Sequence, residues 1–322
     1  MLQPPRTLLE ASRILRGLTQ SDLAERLSTT QSMVSLLQSG KQRATSATVT
    51  NIAAVLEMPE ALLRCPSPAP HIGHLIRSSL PRTARNRALA EVTMAHAHVD
   101  LLLDPIPAEL DATPDGNPDD LADWLRDRWA LQPGPISGMI PLFEEHGIVC
   151  VYRDLSALGV AALSSTAEQG RTLMFVDTSA SRVELAWSLA HELGHLVASD
   201  SPSKESEARA DAFAIAFLLP EQDLRADGVV RSAVDVAPSH GVRPRALVQR
   251  LRDLGMVTHA QFRQLVHDAT GVPDVEVPVT VLGSPSALAN RVRDAGGSRR
   301  AASHALLTAE ELRRRYLARS RP

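Results

Sequence analysis

The 322-residue sequence predicts a mainly α-helical protein with a small α+β core in its middle. Apolar residues recur at helical spacing up to about residue 130 and again beyond residue 181. Two short β-rich runs, 147–152 and 172–176, lie between these regions. The apolar content of 44% is ordinary for a globular protein, and the length corresponds to two or three domains.

Clusters of proline mark the breaks between these regions. We predict a helical domain at 1–65, a helical linker region at 66–118, an α+β domain at 119–222, a helical extension at 223–272 and a basic tail at 273–322. Within this scheme, 72–104 is helical with Leu75, Ile76 and Leu80 on one face, and 119–130 is a second helix. The tail is expected to be solvated, with a DNA contact through its arginines as the alternative.

The composition also excludes several classes of protein. No apolar run reaches the length of about 18 residues that a membrane-spanning helix needs, and the N-terminus lacks the apolar region of a signal peptide. The two cysteines, Cys65 and Cys150, fit neither a disulfide framework nor a thiolate zinc site. We therefore expect a cytoplasmic protein with no membrane partner.

The net charge of −3 is the sum of opposed regions. Residues 1–64 carry +2 and residues 285–322 carry +6, so the middle of the chain carries −11. The near-neutral total therefore does not exclude nucleic acid as a partner, because both ends of the chain are basic.

Residues 17–40 have the layout of a helix-turn-helix unit. Thr19 is a predicted N-cap with Asp22 at the N3 position, 28–30 is a turn, and a second short helix runs from Gln31 to Gln38 before Gly40. Five apolar residues are placed to form its small core: Leu23, Ala24, Leu27, Val34 and Leu37.

The polar residues of this unit are candidates for DNA contact. Gln31, Ser32 and Ser35 are expected on the exposed face of the second helix, where they can reach base edges. Gln20 and Lys41 are placed to contact phosphates at the two helix ends. The alternative is a helical protein-interaction domain without DNA affinity.

The stretch LTQSDLAERLSTTQSMVSLLQSGKQR closely resembles the XRE (lambda-repressor-like) helix-turn-helix family, and the likeness covers about residues 7–64. The resemblance implies that operator DNA is a partner. Because +2 is a low charge for a DNA-binding domain, a homodimer or the basic tail would assist binding.

The strongest chemical signal is the segment Leu189-Ala-His-Glu-Leu-Gly-His-Leu196. The H-E-x-x-H spacing places His191 and His195 one helical turn apart on one face, where both can bind one zinc ion. Glu192 lies beside that face and is the candidate general base. The pentapeptide also arises by chance as a charged helical patch, so a third ligand decides between these alternatives.

Glu207 is the candidate third ligand, from the geometry of a helix hairpin. If the turn centres near Ser201, His195 lies six residues before it and Glu207 six after, so the two face each other. The same count pairs His191 with Asp211, which is therefore expected to accept the second ring N–H of that histidine. Glu205 is the rival ligand, but it lacks an acid four residues further on. A site of two histidines and one glutamate leaves a fourth position for water, which is typical of catalytic zinc.

Residues 120–222 resemble the ImmA/IrrE family of metallopeptidases in four ordered blocks. These are Gly134-Pro-Ile, Phe143-Glu-Glu-His-Gly-Ile148, the zinc-motif segment above, and Glu207-Ala-Arg-Ala-Asp-Ala-Phe-Ala214 closing on Phe217-Leu-Leu-Pro220. The resemblance implies one zinc ion per chain, with Glu207 at the family's ligand position, and a fusion to an XRE-type domain. It also implies cleavage of a repressor. Asn is frequent in the family at the position of Asp211, and manganese is the alternative metal.

The fold class that follows is mainly α with an α+β metallopeptidase core. An all-α helix-turn-helix domain comes first, then a small sheet with the H-E-x-x-H helix hairpin, then a helical C-terminal extension. The extension resembles a helical C-terminal region that is common in the ImmA/IrrE family. Its expected role is packing on the peptidase domain, binding of a partner or effector, or a second contact with nucleic acid.

Substrate binding is expected at residues 172–176. This run precedes the zinc helix and is predicted to be an edge strand to which an extended peptide adds, an interior strand being the alternative. Tyr152 and His240 are both candidates for stabilising the transition state. Five other histidines are assigned to the surface or the core: His71, His74, His96, His98 and His146.

Two functions of different class remain open from the sequence. The first is a DNA-binding regulator that cleaves a partner repressor, expected to be of the XRE type, or cleaves itself. The second is a transcription factor whose metallopeptidase fold acts only as a sensor or dimerisation platform. An antitoxin or phage-type regulator is a third interpretation, in which genomic partners decide the biology.

Overall fold

The computed structural model describes residues 7–66, 68, 70–71, 81–104, 108–110, 113–167, 171–198, 203–225, 233–270 and 276–317. The predictions for Leu75, Ile76, Leu80, His74 and Ser201 lie outside these residues. The first domain consists of α1 (Leu8–Leu15), α2 (Gln20–Arg26), α3 (Gln31–Gln38), α4 (Ser46–Leu56) and α5 (Glu60–Leu63).

Threonines start four of these five helices. Thr7, Thr19, Thr30 and Thr45 each accept a hydrogen bond from the backbone N–H three residues later, which satisfies one of the unpaired donors of the first turn. Leu23, Ala24 and Val34 are buried together with Ile52 and Leu56, and Leu27 and Leu37 are half-buried against them. The predicted helix-turn-helix unit and its core are therefore present.

The next helix, α6 (Arg82–Leu102), does more than connect domains. One side of it packs against α1 through Ala90, Met94 and Ala97. The other side packs against the central sheet through Val92 and Val99, among others. The expectation of a linker at 66–118 is therefore incomplete, because this helix is buried on both sides between two parts of the fold.

The central sheet has three strands, β1 (Ile148–Arg153), β2 (Ala162–Thr166) and β3 (Thr172–Asp177), in the order β1-β3-β2. β1 and β3 are parallel, and β2 and β3 are antiparallel. The expectation that 172–176 forms an edge strand is wrong, since β3 lies between the other two and all its residues are buried. The edge strands are β1 and β2, and the sequence of β2, ALSST, is too polar to have been predicted as a strand.

Alternate residues of the sheet face two cores, as the period of a strand requires. Cys150 and Met174 face one core, which α7 (Pro118–Arg128), α8 (Met139–Glu145), α9 (Arg182–Ala198), α10 (Lys204–Leu218) and α13 (Pro244–Asp253) complete. Val151 and Phe175 face the other core. Four further helical elements accompany the first core: α11 (Glu221–Leu224), α12 (Ala233–Val236), a 3-10 turn (Ala237–His240) and α14 (His259–Thr270).

The C-terminal residues cover the second face of the sheet. The covering elements are α16 (Ala287–Asp294), α17 (Ser298–His304), α18 (Ala309–Leu312) and a π-helical turn (Arg313–Leu317). The preceding helix, α15 (Val279–Leu282), instead packs in the first core through Val281 and Leu282. Leu288, Ala301 and Leu312 are buried against α6 and the sheet. The expectation of a solvated tail is therefore wrong for residues 276–317, because apolar residues at helical spacing between the arginines give this segment a buried face. None of the described helices combines the length and apolar character required to cross a membrane.

Candidate metal centre and nucleic-acid interface

The metal centre lies on the hairpin of α9 and α10. Ser181 and Glu184 start α9, since the serine hydroxyl and backbone N–H both donate to the Glu184 carboxylate, at 2.7 and 3.1 Å. Gly194 allows the two helices to approach closely. A Cβ atom at that position would lie 3.1 Å from Ala210 Cα and 3.1 Å from Phe213 Cδ1, which is closer than ordinary van der Waals contact.

The hairpin brings three predicted ligands together. His191 Nε2 and His195 Nε2 are 3.1 Å apart, and Glu207 places Oε2 3.5 Å from the first and Oε1 3.6 Å from the second. Bonds of about 2.0–2.1 Å at tetrahedral angles separate ligand atoms by about 3.3–3.4 Å. The three side chains therefore fit a tetrahedral zinc ion. A search of the described residues for three or more histidine, cysteine or carboxylate side chains close enough to hold one metal ion finds this group.

Asp211 lies behind His191, as the hairpin count predicts. Its Oδ1 atom is 2.9 Å from Nδ1 of His191, so Nε2 of the histidine is left to face Glu207. Burial lowers the pKa of His191, but the hydrogen bond to Asp211 and the charges of Glu192, Asp211 and Glu207 outweigh burial and raise it overall. The acidic surroundings thus favour a positive charge at this position.

Glu192 is buried between α9 and the edge strand β2. One of its carboxylate oxygens, Oε2, accepts a hydrogen bond from the backbone N–H of Ser164 at 2.7 Å and another from the Ser164 hydroxyl at 2.6 Å. These two bonds fix the carboxylate beside the metal ligands. Ser164 is a residue that the sequence analysis missed, because its role depends on strand β2.

In the helix-turn-helix unit, three glutamines form a chain of hydrogen bonds. Gln31 Nε2 donates to Gln20 Oε1 at 2.6 Å, and Gln20 Nε2 donates to Gln38 Oε1 at 2.8 Å. Gln38 is buried and anchors the chain. The amide of Gln31 is therefore held in a fixed orientation at the start of α3.

The other predicted DNA-contacting residues differ in exposure. Ser32 and Lys41 are exposed, whereas Gln20 and Ser35 are half-buried. Met33 and Leu36, which the sequence analysis did not name as candidates, are exposed as well. Each of the four predicted side chains is thus at least partly accessible to solvent.

Two protein-family models match this chain. A helix-turn-helix family model matches residues 9–63, and a model of the IrrE N-terminal-like domain in the M78 peptidase family matches residues 143–252. The chain is an XRE-type helix-turn-helix domain fused to an ImmA/IrrE-like domain. These families indicate DNA-binding regulation and a metallopeptidase-like domain with a metal. Searches of curated proteins and of solved structures return no significant match.

The match to the IrrE-like domain extends beyond residue 222, where the predicted domain ends, and includes α13. Leu247, Val248 and Leu251 of this helix are buried in the same core as the zinc-motif helix α9. Arg250 also joins the two parts, because it donates a hydrogen bond to the backbone oxygen of Leu219. The predicted extension and the predicted peptidase domain thus share one core.

A cleft of about 780 Å³ opens beside the metal centre of the IrrE-like domain. Ala162 of β2 and Trp187 of α9 line it, together with His191, Glu192 and Glu207. Arg243, just before α13, lies at its rim and places Nη2 3.5 Å from Glu184 Oε1. The cleft is therefore large enough for several residues of a peptide.

Neither candidate for transition-state stabilisation lines this cleft. Tyr152 lies on β1, which is separated from β2 by β3. His240 is buried with Nδ1 3.2 Å from the backbone oxygen of Val236, and burial lowers its pKa. Among the residues that line the cleft, Arg243 is the one with a permanent positive charge. The sequence analysis did not predict that Arg243 lies there.

The histidines assigned to the surface or core lie away from the metal centre. His96 and His98 are buried, with hydrogen bonds to the hydroxyls of Ser165 and Tyr316. His71 is exposed, and its backbone pairs with the outer edge of β2 at Thr166. The fourth described histidine, His146, contacts Glu109 and stacks on Trp129.

Proposed function

We propose that this chain is a transcription regulator that binds operator DNA and whose ImmA/IrrE-like domain is a zinc-dependent endopeptidase. The observation that carries the proposal is the convergence of His191, His195 and Glu207 at the separations of a tetrahedral zinc site, with Glu192 fixed beside them. In this proposal the first three side chains bind one zinc ion, and Asp211 orients His191. Manganese is the alternative metal, since availability in the cell affects occupancy.

Zinc at this site would supply Lewis-acid polarisation of a peptide carbonyl and activation of a water molecule. Glu192 would take the proton from the attacking water and transfer it to the leaving amine, as a general base and then a general acid. Ser164 supports this role because its two hydrogen bonds to Oε2 hold the Glu192 carboxylate in a fixed orientation beside the three proposed ligands.

The outer edge of β2 is our proposed binding site for the scissile peptide. Residues 161, 163, 165 and 167 direct their backbone groups towards β3, so Ala162, Ser164 and Thr166 direct theirs outwards. Thr166 pairs with His71, and the N–H of Ser164 pairs with Glu192. The backbone groups of Ala162 face the cleft, where an extended peptide can add to the strand.

The proposed substrate is a partner repressor of the XRE type, with cleavage of the chain itself as a variant of the same activity. The test is co-expression with candidate repressors encoded near this gene, for the wild type, Glu192→Gln and the control Glu205→Gln. Glu205 is exposed on α10, close to the ligand Glu207 in sequence. The wild type and the control should cleave one candidate, whereas Glu192→Gln should retain zinc and leave every candidate intact.

The competing function is a transcription factor whose peptidase fold only senses a signal or mediates dimerisation. It would be supported if the wild type left every candidate and itself intact while it still bound DNA. The intact set of ligands and general base favours retained chemistry, because a platform does not need these four residue types at these distances.

The DNA-binding part of the proposal assigns base contacts to Gln31, Ser32 and Ser35 and phosphate contacts to Gln20 and Lys41. The hydrogen bond from Gln31 to Gln20 supports this assignment, because it links a base-reading side chain to one at the phosphate backbone. Binding as a homodimer would double the number of phosphate contacts. In vitro selection from random duplexes, followed by measurement of the mass of the complex, tests both points.

A further inference from the structure

The second helix of the helix-turn-helix unit presents two large apolar side chains to solvent. Within the described part of the chain, three large hydrophobic residues are exposed: Met33 (38%), Leu36 (39%) and Val279 (60%). Two of these three lie on α3, which has only eight residues. Large apolar side chains that lie together on a surface are typical of a contact site.

The two side chains lie on the face that points away from the domain. Val34 and Gln38 mark the buried side of α3. At about 100° per residue, Leu36 lies roughly opposite this buried side. Met33 lies about 60° from Leu36 and about 120° from the buried side, on the flank away from Gln31. The exposed face thus runs from the amide of Gln31 at one edge to the thioether of Met33 at the other.

The surroundings of this face favour DNA over another protein as the occupant. α3 contains no acidic residue, and Lys41 and Arg43 follow it as exposed cations. An amide already held for base contact lies at one edge of the same face. The apolar group that DNA presents in the major groove is the 5-methyl of thymine, and apolar side chains recognise it.

We propose that Met33 and Leu36 contact thymine methyl groups in the major groove, so that the operator half-site contains at least two A·T pairs beyond the one read by Gln31. This inference rests on the proposed DNA-binding function and adds its base preference. Burying one methyl group corresponds to an affinity change of about fourfold.

The experiment uses the full chain and the best duplex from in vitro selection. Each thymine in turn is replaced by uracil, which removes only the methyl group and keeps every base-pair hydrogen bond. We expect about a fourfold loss of affinity at each of two thymines for the wild type. Met33→Ala should abolish the loss at one of them, and Leu36→Ala should abolish it at the other.

Val279→Ala is the matched control, because it removes an exposed apolar side chain outside the helix-turn-helix unit. It should leave affinity and uracil sensitivity unchanged. Equal affinity of the wild type for thymine and uracil duplexes would overturn the inference while leaving DNA binding intact. If, in addition, Met33→Ala or Leu36→Ala changed the oligomeric state, the face would be a protein interface. Failure to select any duplex would overturn the DNA-binding function and this inference together.

Discussion

Replacing Asp211 by alanine is expected to weaken zinc binding although the side chain is too far from the site to be a ligand. Its Oδ1 atom accepts a hydrogen bond from Nδ1 of His191 at 2.9 Å, which fixes the tautomer with a lone pair on Nε2 and orients the ring towards Glu207. Without this acceptor, the ring rotates more freely and its Nε2 atom is less basic.

The size of the effect follows from the exposure of the bond. Loss of a carboxylate that supports a metal-bound histidine lowers metal affinity by about 10- to 100-fold, which corresponds to about 1.4–2.8 kcal/mol. The side chain of Asp211 is 60% exposed, and water replaces part of the lost hydrogen bond. We therefore expect a loss near the lower limit, about tenfold.

Competition with a chromophoric zinc chelator measures this loss, in the wild type, Asp211→Ala and two controls. Asp211→Asn keeps an acceptor oxygen and should lose less affinity than Asp211→Ala. Glu205→Gln removes a negative charge from the exposed side of α10 and should bind zinc as the wild type does. Unchanged affinity in Asp211→Ala, or an equal loss in Glu205→Gln, would refute the role assigned to this hydrogen bond.

Three further predictions test other parts of the molecule. Gly194→Ala gains about 1 kcal/mol of helix propensity but overpacks α9 against α10 at a cost of about 1–3 kcal/mol. Urea titration should therefore show destabilisation of up to about 2 kcal/mol, together with weaker zinc binding. Unchanged zinc affinity would contradict the need for close contact between the two helices. Burial lowers the pKa values of His96 and His98 to about 3. Below about pH 6.5 these two histidines are protonated in the unfolded chain but not in the folded chain, so the free energy of unfolding decreases as the pH is lowered. The expected decrease between pH 7.5 and 5.5 is about 1.4 kcal/mol per histidine. His96→Asn should reduce this decrease, and an unchanged decrease would argue against its origin in burial. Lys41→Ala should weaken binding to all DNA sequences and reduce its salt dependence, whereas Gln31→Ala should relax the sequence preference. Equal losses of affinity on all sequences for both variants would contradict the assignment of α3 as the recognition helix.

Local sequence patterns were sufficient for the elements whose structure depends on near neighbours. The N-cap at Thr19 and the bounds of α3 follow from residues within one or two turns. Counting from a turn near Ser201 also placed Glu207 and Asp211 opposite the two histidines, because an antiparallel hairpin relates residues symmetrically about its turn. The structure brings these four side chains together at the distances that the count implies.

Patterns were not sufficient where distant segments compete for the same surface. β3 was expected at the edge of the sheet, but all its residues are buried, they face a core on each side, and the strand lies between β1 and β2. Strand β2 was not predicted, since Ser164 and Thr166 are polar. Their hydrogen bonds to Glu192 and His71 depend on segments far along the chain.

The sequence by itself determined the chemistry of this protein: a helix-turn-helix unit, two histidines and a glutamate at metal-binding spacing, and the candidate base Glu192. Spacing along a single helix or hairpin is enough for this, because its geometry is regular. Only the tertiary structure decided which strand lines the cleft, which residue holds Glu192 and what covers the second face of the sheet. The arginine-rich C-terminal residues are the clearest case. Their charge suggested solvent, but Leu288, Ala301 and Leu312 are buried because the sheet presents an apolar face, which they cover together with α6.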